Sequence, residues 1–155
     1  MPTELDFITT TDKPALLGLS TPEWLDAAMV ALNEHGYKVH TAGTHADFMA
    51  RFLQNKYEVV ITEELFASSV AAENTSLVAL QNAPMPQRRH CSIILLGDTV
   101  QTFNVLQAYQ LSVHAVVNRS EIFLLGQLIQ KVVEDREYFL KTYLEAQTML
   151  TQSIY

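Results

Sequence analysis

The segment Tyr57-Glu58-Val59-Val60-Ile61-Thr62-Glu63-Glu64 carries a short apolar run into two adjacent carboxylates. A run of that length suits a strand buried on both faces, with Glu63 at its C-terminal end. A carboxylate placed there has two ordinary uses. It can accept backbone N–H groups at a helix start, or it can face the crevice beyond the strand ends, where open α/β sheets bind ligands. The remaining chemistry is sparse. Gly18 stands alone before Leu19-Ser20, so no glycine-rich phosphate loop follows the first apolar run, and no G-x-S-x-G elbow occurs. The histidines are His35, His40, His45, His90 and His114. His40 and His45 lie five residues apart across a strand-to-helix turn, but no third ligand is spaced to join them, so no metal is expected. Cys91, the one cysteine, opens the apolar run to Leu96 and reads as a buried small hydrophobe. No nucleophile–base constellation is visible. No catalytic residue, enzyme activity or cofactor is therefore assigned.

These residues need a scaffold, and the 155-residue chain is the size of one ordinary domain. Hydrophobic residues make up 48%, enough for a packed core. A net charge of −7 disfavours binding to phosphate backbones and anionic lipid, so neither nucleic acid nor membrane is expected as a partner. Arg88-Arg89-His90, the only compact basic cluster, reads as a solvated loop. No signal-like leader or long apolar span is present, which points to the cytoplasm. Residues 1–13 read as a loose polar leader. Short apolar runs then alternate with amphipathic ones. Strands are expected at Ala15–Leu19, Tyr37–Thr41, Val59–Thr62, Ser92–Leu96 and Val113–Val117. Helices are expected after Thr21-Pro22-Glu23, over Thr44–Asn55, over Ser76–Gln81, over Thr99–Tyr109, and over Ile122 to about Thr148. Pro84 and Pro86 mark a loop. Trp24, Phe48, Phe52, Phe103 and Tyr109 fall at helical spacing and are assigned to the core. The alternation implies an α/β fold, a flavodoxin-like doubly wound five-stranded parallel sheet of order 2-1-3-4-5. An extended C-terminal helix follows it. A domain is expected over 14–133 and a helical extension over 134–155.

The chain resembles the receiver domains of bacterial response regulators. Thr21-Pro22-Glu23 through Gly36-Tyr37-Lys38-Val39 looks like their first helix and its entry into strand two. Tyr57–Glu63 resembles their Tyr-Asp-Leu-Val-Leu-Leu-Asp, and Ala108–Ser120 resembles their Ala-x-x-x-Gly-Ala-x-x-Tyr-Leu-x-Lys-Pro. The resemblance places the phosphoacceptor at Glu63 and the acidic Mg²⁺-binding pair at Leu19 and Ser20. It places the Ser/Thr at Gly97, the aromatic switch residue at Val116 and the Lys at Arg119. Phosphoryl transfer needs a divalent cation held by carboxylates, and Leu19 and Ser20 supply none. The resemblance therefore implies a degenerate receiver without phosphorylation chemistry. Glu63 would be a remnant, or a fixed charge paired with Arg119.

The last helix outruns such a domain. Leu124, Leu125, Leu128, Ile129, Val132 and Val133 can cover the sheet, while Phe139, Leu140, Tyr143 and Leu144 extend an apolar stripe past it. That stripe is the expected interaction surface, with a second copy, another protein or the chain's own domain as its cover. The expected function is a phosphorylation-independent protein-interaction or dimerisation module of bacterial signalling, with homodimerisation through the C-terminal helix. The alternative is a small-ligand sensor using the crevice around Ser20, Glu63, Gly97 and Arg119.

Overall fold

The computed structural model describes residues 8–88 and 90–154. Residues 1–7 of the expected leader, and Arg89 of the basic cluster, lie outside the described residues. The order is β1 (Lys13–Gly18), α1 (Pro22–Glu34), β2 (Tyr37–Thr41), α2 (His45–Gln54), β3 (Val59–Glu63), α3 (Thr75–Gln81), α4 (Met85–Arg88), β4 (Ser92–Gly97), α5 (Val105–Gln110), β5 (Ala115–Asn118) and α6 (Leu125–Ile154). Short 3-10 turns at Ala71–Glu73 and Arg119–Leu124 precede α3 and α6. The strands form one parallel sheet in the order β2-β1-β3-β4-β5.

Side-chain alternation along each strand splits the core into two layers. Ala15, Leu17, Val59, Ile61, Ile94, Leu96 and Val117 point to one face, where Ala28 and Leu32 of α1 and Leu125, Leu128 and Ile129 of α6 cover them. Leu16, Val60, Ile93, Leu95 and Val116 point to the other, under Phe48 of α2, Leu77 and Leu80 of α3, and Ala108 of α5. Local signals place the elements. Gly36 sits at φ 79, the left-handed position that stops α1. The Thr44 side chain accepts from the Asp47 N–H at 3.1 Å and caps α2. At Gly18 the Phe48 ring packs so close that an added Cβ would fall 2.8 Å from it, which fixes α2 against β1.

Some expectations shift. β1 begins at Lys13, and β5 covers Ala115–Asn118 rather than starting at Val113. Met85–Arg88 forms a single helical turn where a loop was expected. The helix expected over Thr99–Tyr109 shortens to Val105–Gln110, because Phe103 takes a left-handed φ of 63 that an α-helix cannot contain. Phe103 and Tyr109 are thus not core. Tyr109 is 81% exposed, and of α5 only Ala108 is buried. Phe48 is buried, while Trp24 and Phe52 pack half-buried at the edges of the two layers. The final helix starts at Leu125 and runs for 30 residues, about 45 Å at 1.5 Å per residue.

Candidate functional site

The C-terminal ends of β1, β3, β4 and β5 surround a crevice of about 1030 Å³, lined among others by Ser20, Thr21, Trp24, Glu63, Glu64, Gly97, Asp98, Thr99 and Arg119. Glu63 ends β3 and is only 4% exposed. Its Oε1 accepts from the Ser20 and Thr21 backbone N–H groups, the latter at 2.9 Å, and its Oε2 accepts from the Thr21 hydroxyl at 2.9 Å. Thr21 is the N-cap residue of α1, yet its own side chain caps nothing. Glu63 therefore supplies the anionic acceptor at the start of α1, where backbone donors and the helix dipole favour negative charge. The carboxylate caps a helix from across the sheet.

The neighbouring groups are likewise turned on one another. Glu64 lies over Gly97 and accepts from the Thr99 hydroxyl, with both oxygens 2.7 Å away. A Cβ on Gly97 would fall 2.1 Å from Glu64 Oε1, so glycine is what allows Glu64 to occupy this space. The Ser20 hydroxyl accepts from the Ala67 N–H at 2.8 Å. Asn74 donates to the Glu63 and Glu64 carbonyls at 3.0 and 3.1 Å, pinning the turn after β3. Asn118 at the end of β5 donates to the Val100 carbonyl at 2.8 Å and holds the turn after β4.

Ser20, Glu63, Gly97 and Arg119 all line the crevice. Leu19 is buried in the α1/α6 layer, and Val116 is fully buried in the other. The pairing of Arg119 with Glu63 is not what forms. Arg119 Nε meets Asp98 at 3.2 Å in an exposed ion pair, and Glu63 is satisfied by Ser20 and Thr21 instead. Sequence reasoning missed Thr21, Glu64, Thr99 and Asn118 as site residues. For Asn118 the available signal was its residue type, since Asn favours chain turns.

His40 and His45 do not converge. His40 Nδ1 meets the Tyr57 hydroxyl at 2.7 Å. His45 bridges Ser76 at 2.8 Å and Ser68 at 3.1 Å, tying α2 to the segment after β3. No group of three or more His, Cys, Asp or Glu is arranged to hold a metal among the described residues. Cys91 is buried, and burial pushes its thiol up to about 12. No helix among the described residues is long and apolar enough to cross a membrane. Along α6, Phe139, Tyr143 and Leu144 are exposed past the sheet, and Leu140 is half-buried.

No family model and no curated protein matches the chain. Solved structures do. A CheY-like receiver domain protein from Methanospirillum hungatei is 16% identical, with 83% of this chain and 98% of that chain covered at a TM-score of 0.64. The chemotaxis response regulator CheY4 of Vibrio cholerae is also 16% identical, with 79% and 99% covered at 0.60. The fold is thus the CheY-like receiver fold. A fusion carrying the yeast Spc42 trimeric coiled coil, amino acids 181–211, is 15% identical at a TM-score of 0.62 and covers 96% of this chain and 100% of that one. Coverage that extensive takes in α6 beyond the sheet.

Proposed function

We propose that this chain is a receiver-like module of bacterial signalling that works by protein association, independently of phosphorylation, in the cytoplasm. In this reading residues 14–133 form the receiver-like unit and 134–155 the associating extension. The observation that carries it is α6, a continuous helix whose Phe139 and Leu144 remain 68% and 51% exposed beyond the sheet. Apolar surface in water costs about 25 cal/mol per Å², which favours its burial against a partner. A second copy supplies an identical stripe, so homodimerisation through α6 is the simplest cover. Similarity to a fusion bearing a trimeric coiled coil supports an associating role for that helix.

The crevice supports the other half of the reading. Receiver chemistry rests on Mg²⁺, and the residues present do not fit it. Leu19 offers no donor atom, the Ser20 hydroxyl is engaged by Ala67, and the Glu63 carboxylate is engaged by Ser20 and Thr21. Mg²⁺ demands near-octahedral oxygen ligands with carboxylates among them. With Gly97 lacking a hydroxyl and Val116 lacking a ring, the set Leu19, Ser20, Glu63, Gly97, Val116 and Arg119 acts as a fixed, degenerate receiver site.

Two measurements test this. Acetyl phosphate with Mg²⁺ should leave the intact mass unchanged, and a phosphoryl adduct would overturn the degenerate site. Light scattering should report a concentration-dependent assembly that Leu144→Glu abolishes. A monomer at every concentration would overturn the associating role. A small-ligand sensor is the second reading, favoured by the size of the crevice between Trp24 and Arg119.

A further inference from the structure

Arg88 begins the basic cluster, and it does not end in solvent. It lines a groove of about 560 Å³ with Tyr109, Val113, Val132, Arg136 and Phe139. Arg88 precedes β4 and Val113 precedes β5. The groove therefore opens at the N-terminal ends of these strands, the opposite end of the sheet from Glu63. Arg88 Nη2 donates to the Ser112 carbonyl at 2.6 Å and Nη1 to the Gln81 carbonyl at 3.2 Å. Arg136 Nη1 donates to the His90 carbonyl.

Neither guanidinium has a carboxylate partner among the described residues. Asp135, which also lines the groove, pairs instead with Lys131 at 3.3 Å. Arg136 Nε–H is shielded from solvent and meets no acceptor among the described residues. A shielded donor left without an acceptor costs about 1–3 kcal/mol, more on a charged group. Two positive charges without counter-charge are conspicuous in a chain of net charge −7. The walls are aromatic and aliphatic. Tyr109 of α5 and Phe139 of α6 stand on them, 81% and 68% exposed.

We propose that this groove binds a small amphiphilic carboxylate. Its head faces the guanidinium charges of Arg88 and Arg136 on the groove wall, and its apolar body lies between Tyr109 and Phe139. The planar guanidinium fork matches a carboxylate in geometry as well as charge. Each half of the ligand is required. A bare anion leaves the aromatic walls in water, and a neutral apolar molecule leaves both guanidiniums without a carboxylate partner. The groove volume falls within the usual 300–1,000 Å³ range of small-ligand sites, roughly speaking. His114 senses the same positive potential. Burial, then Arg88 and Arg136, push its imidazole down to about 4.

Isothermal titration of the full chain with decanoate, kept below its micellar concentration, tests this. Saturable one-to-one binding is expected, with decanol and acetate each weaker by about tenfold or more. Arg136→Gln and Arg88→Gln should each weaken decanoate by about tenfold. Tyr109→Ser, at an exposed position that leaves the core intact, should weaken it too. On binding, the carboxylate should raise the His114 pKa, read from the ring protons by NMR. That readout and Tyr109→Ser serve if an arginine variant fails to fold. Absence of saturable binding, equal binding of decanol, or a His114 pKa unmoved at saturation would each overturn the proposal.

Discussion

Replacing Glu63 distinguishes a structural cap from a remnant acceptor. The carboxylate is buried and accepts from three donors, the Ser20 and Thr21 N–H groups and the Thr21 hydroxyl. Glu63→Gln keeps a carbonyl oxygen where Oε1 lies, so both N–H groups retain an acceptor. The Thr21 hydroxyl can turn to accept from the new amide. What is lost is the charge assistance and its favourable placement at the α1 N-terminus, together about 1–2 kcal/mol. Glu63→Asp is the harsher change. It keeps the buried charge but withdraws it by one methylene, out of reach of donors that lie 42 and 43 residues earlier in the chain. A buried carboxylate deprived of its hydrogen bonds costs about 3 kcal/mol or more. For a chain of this size each kcal/mol is worth roughly 2–4 °C in Tm. Asp should thus lower Tm by about 6–12 °C and Gln by about 2–8 °C. Thermal unfolding followed by circular dichroism, with urea titration beside it, reads the order. If Asp is as stable as the parent, or more stable than Gln, the capping argument fails. Asp is the residue the receiver resemblance would restore, so this order separates the two roles.

Gly97→Thr should destabilise by about 1–2 kcal/mol, because its Cβ would collide with the Glu64 carboxylate. Combining it with Glu64→Ala should relieve most of that cost in a double-mutant cycle. His114 gives a pH signature. Its Nδ1 accepts from the Ile93 N–H at 2.9 Å, which requires the neutral ring, and its folded pKa of about 4 lies below the ordinary 6.5. The stability it contributes is present in full above pH 6.5 and is lost as pH falls toward 4. His114→Asn keeps an acceptor and does not titrate, so its urea midpoint should fall less over that window. His114 is exposed to solvent, which reduces the size of the effect. Cys91 should resist a disulfide probe such as dithionitrobenzoate in the native protein at pH 8 and react once urea unfolds the chain. Fast native reaction would contradict its burial.

The sheet was legible because its cues are local. Apolar runs of four or five residues set the strands, and Gly36 and Thr44 mark a helix stop and a helix start with one residue each. Helix α5 was not. Phe103, Val105, Leu106 and Tyr109 repeat at helical spacing, but periodicity says only that residues share a face, not that the face is covered. Here the sheet is touched through the small Ala108, and the larger side chains point outward. The position of Glu63 was readable from strand length. Its partners were not, because two of the three donors are backbone N–H groups that any residue type supplies.

The same point bears on how the crevice of this receiver fold accommodates a buried carboxylate. A buried carboxylate at the end of β3 must be balanced by a cation or by hydrogen-bond donors. Here the balance comes from the α1 N-terminus. A glutamate reaches those N–H groups, where a shorter aspartate would not. Glu64 then folds over Gly97 onto Thr99, and Asp98 takes Arg119 as its partner. Glu63, Glu64 and Asp98 thereby each have an internal partner. Unsatisfied features lie elsewhere, in the exposed stripe of α6 and in the Nε–H of Arg136. Polar satisfaction in one place and its absence in another is a physical reason to look for binding on those outer surfaces rather than at Glu63.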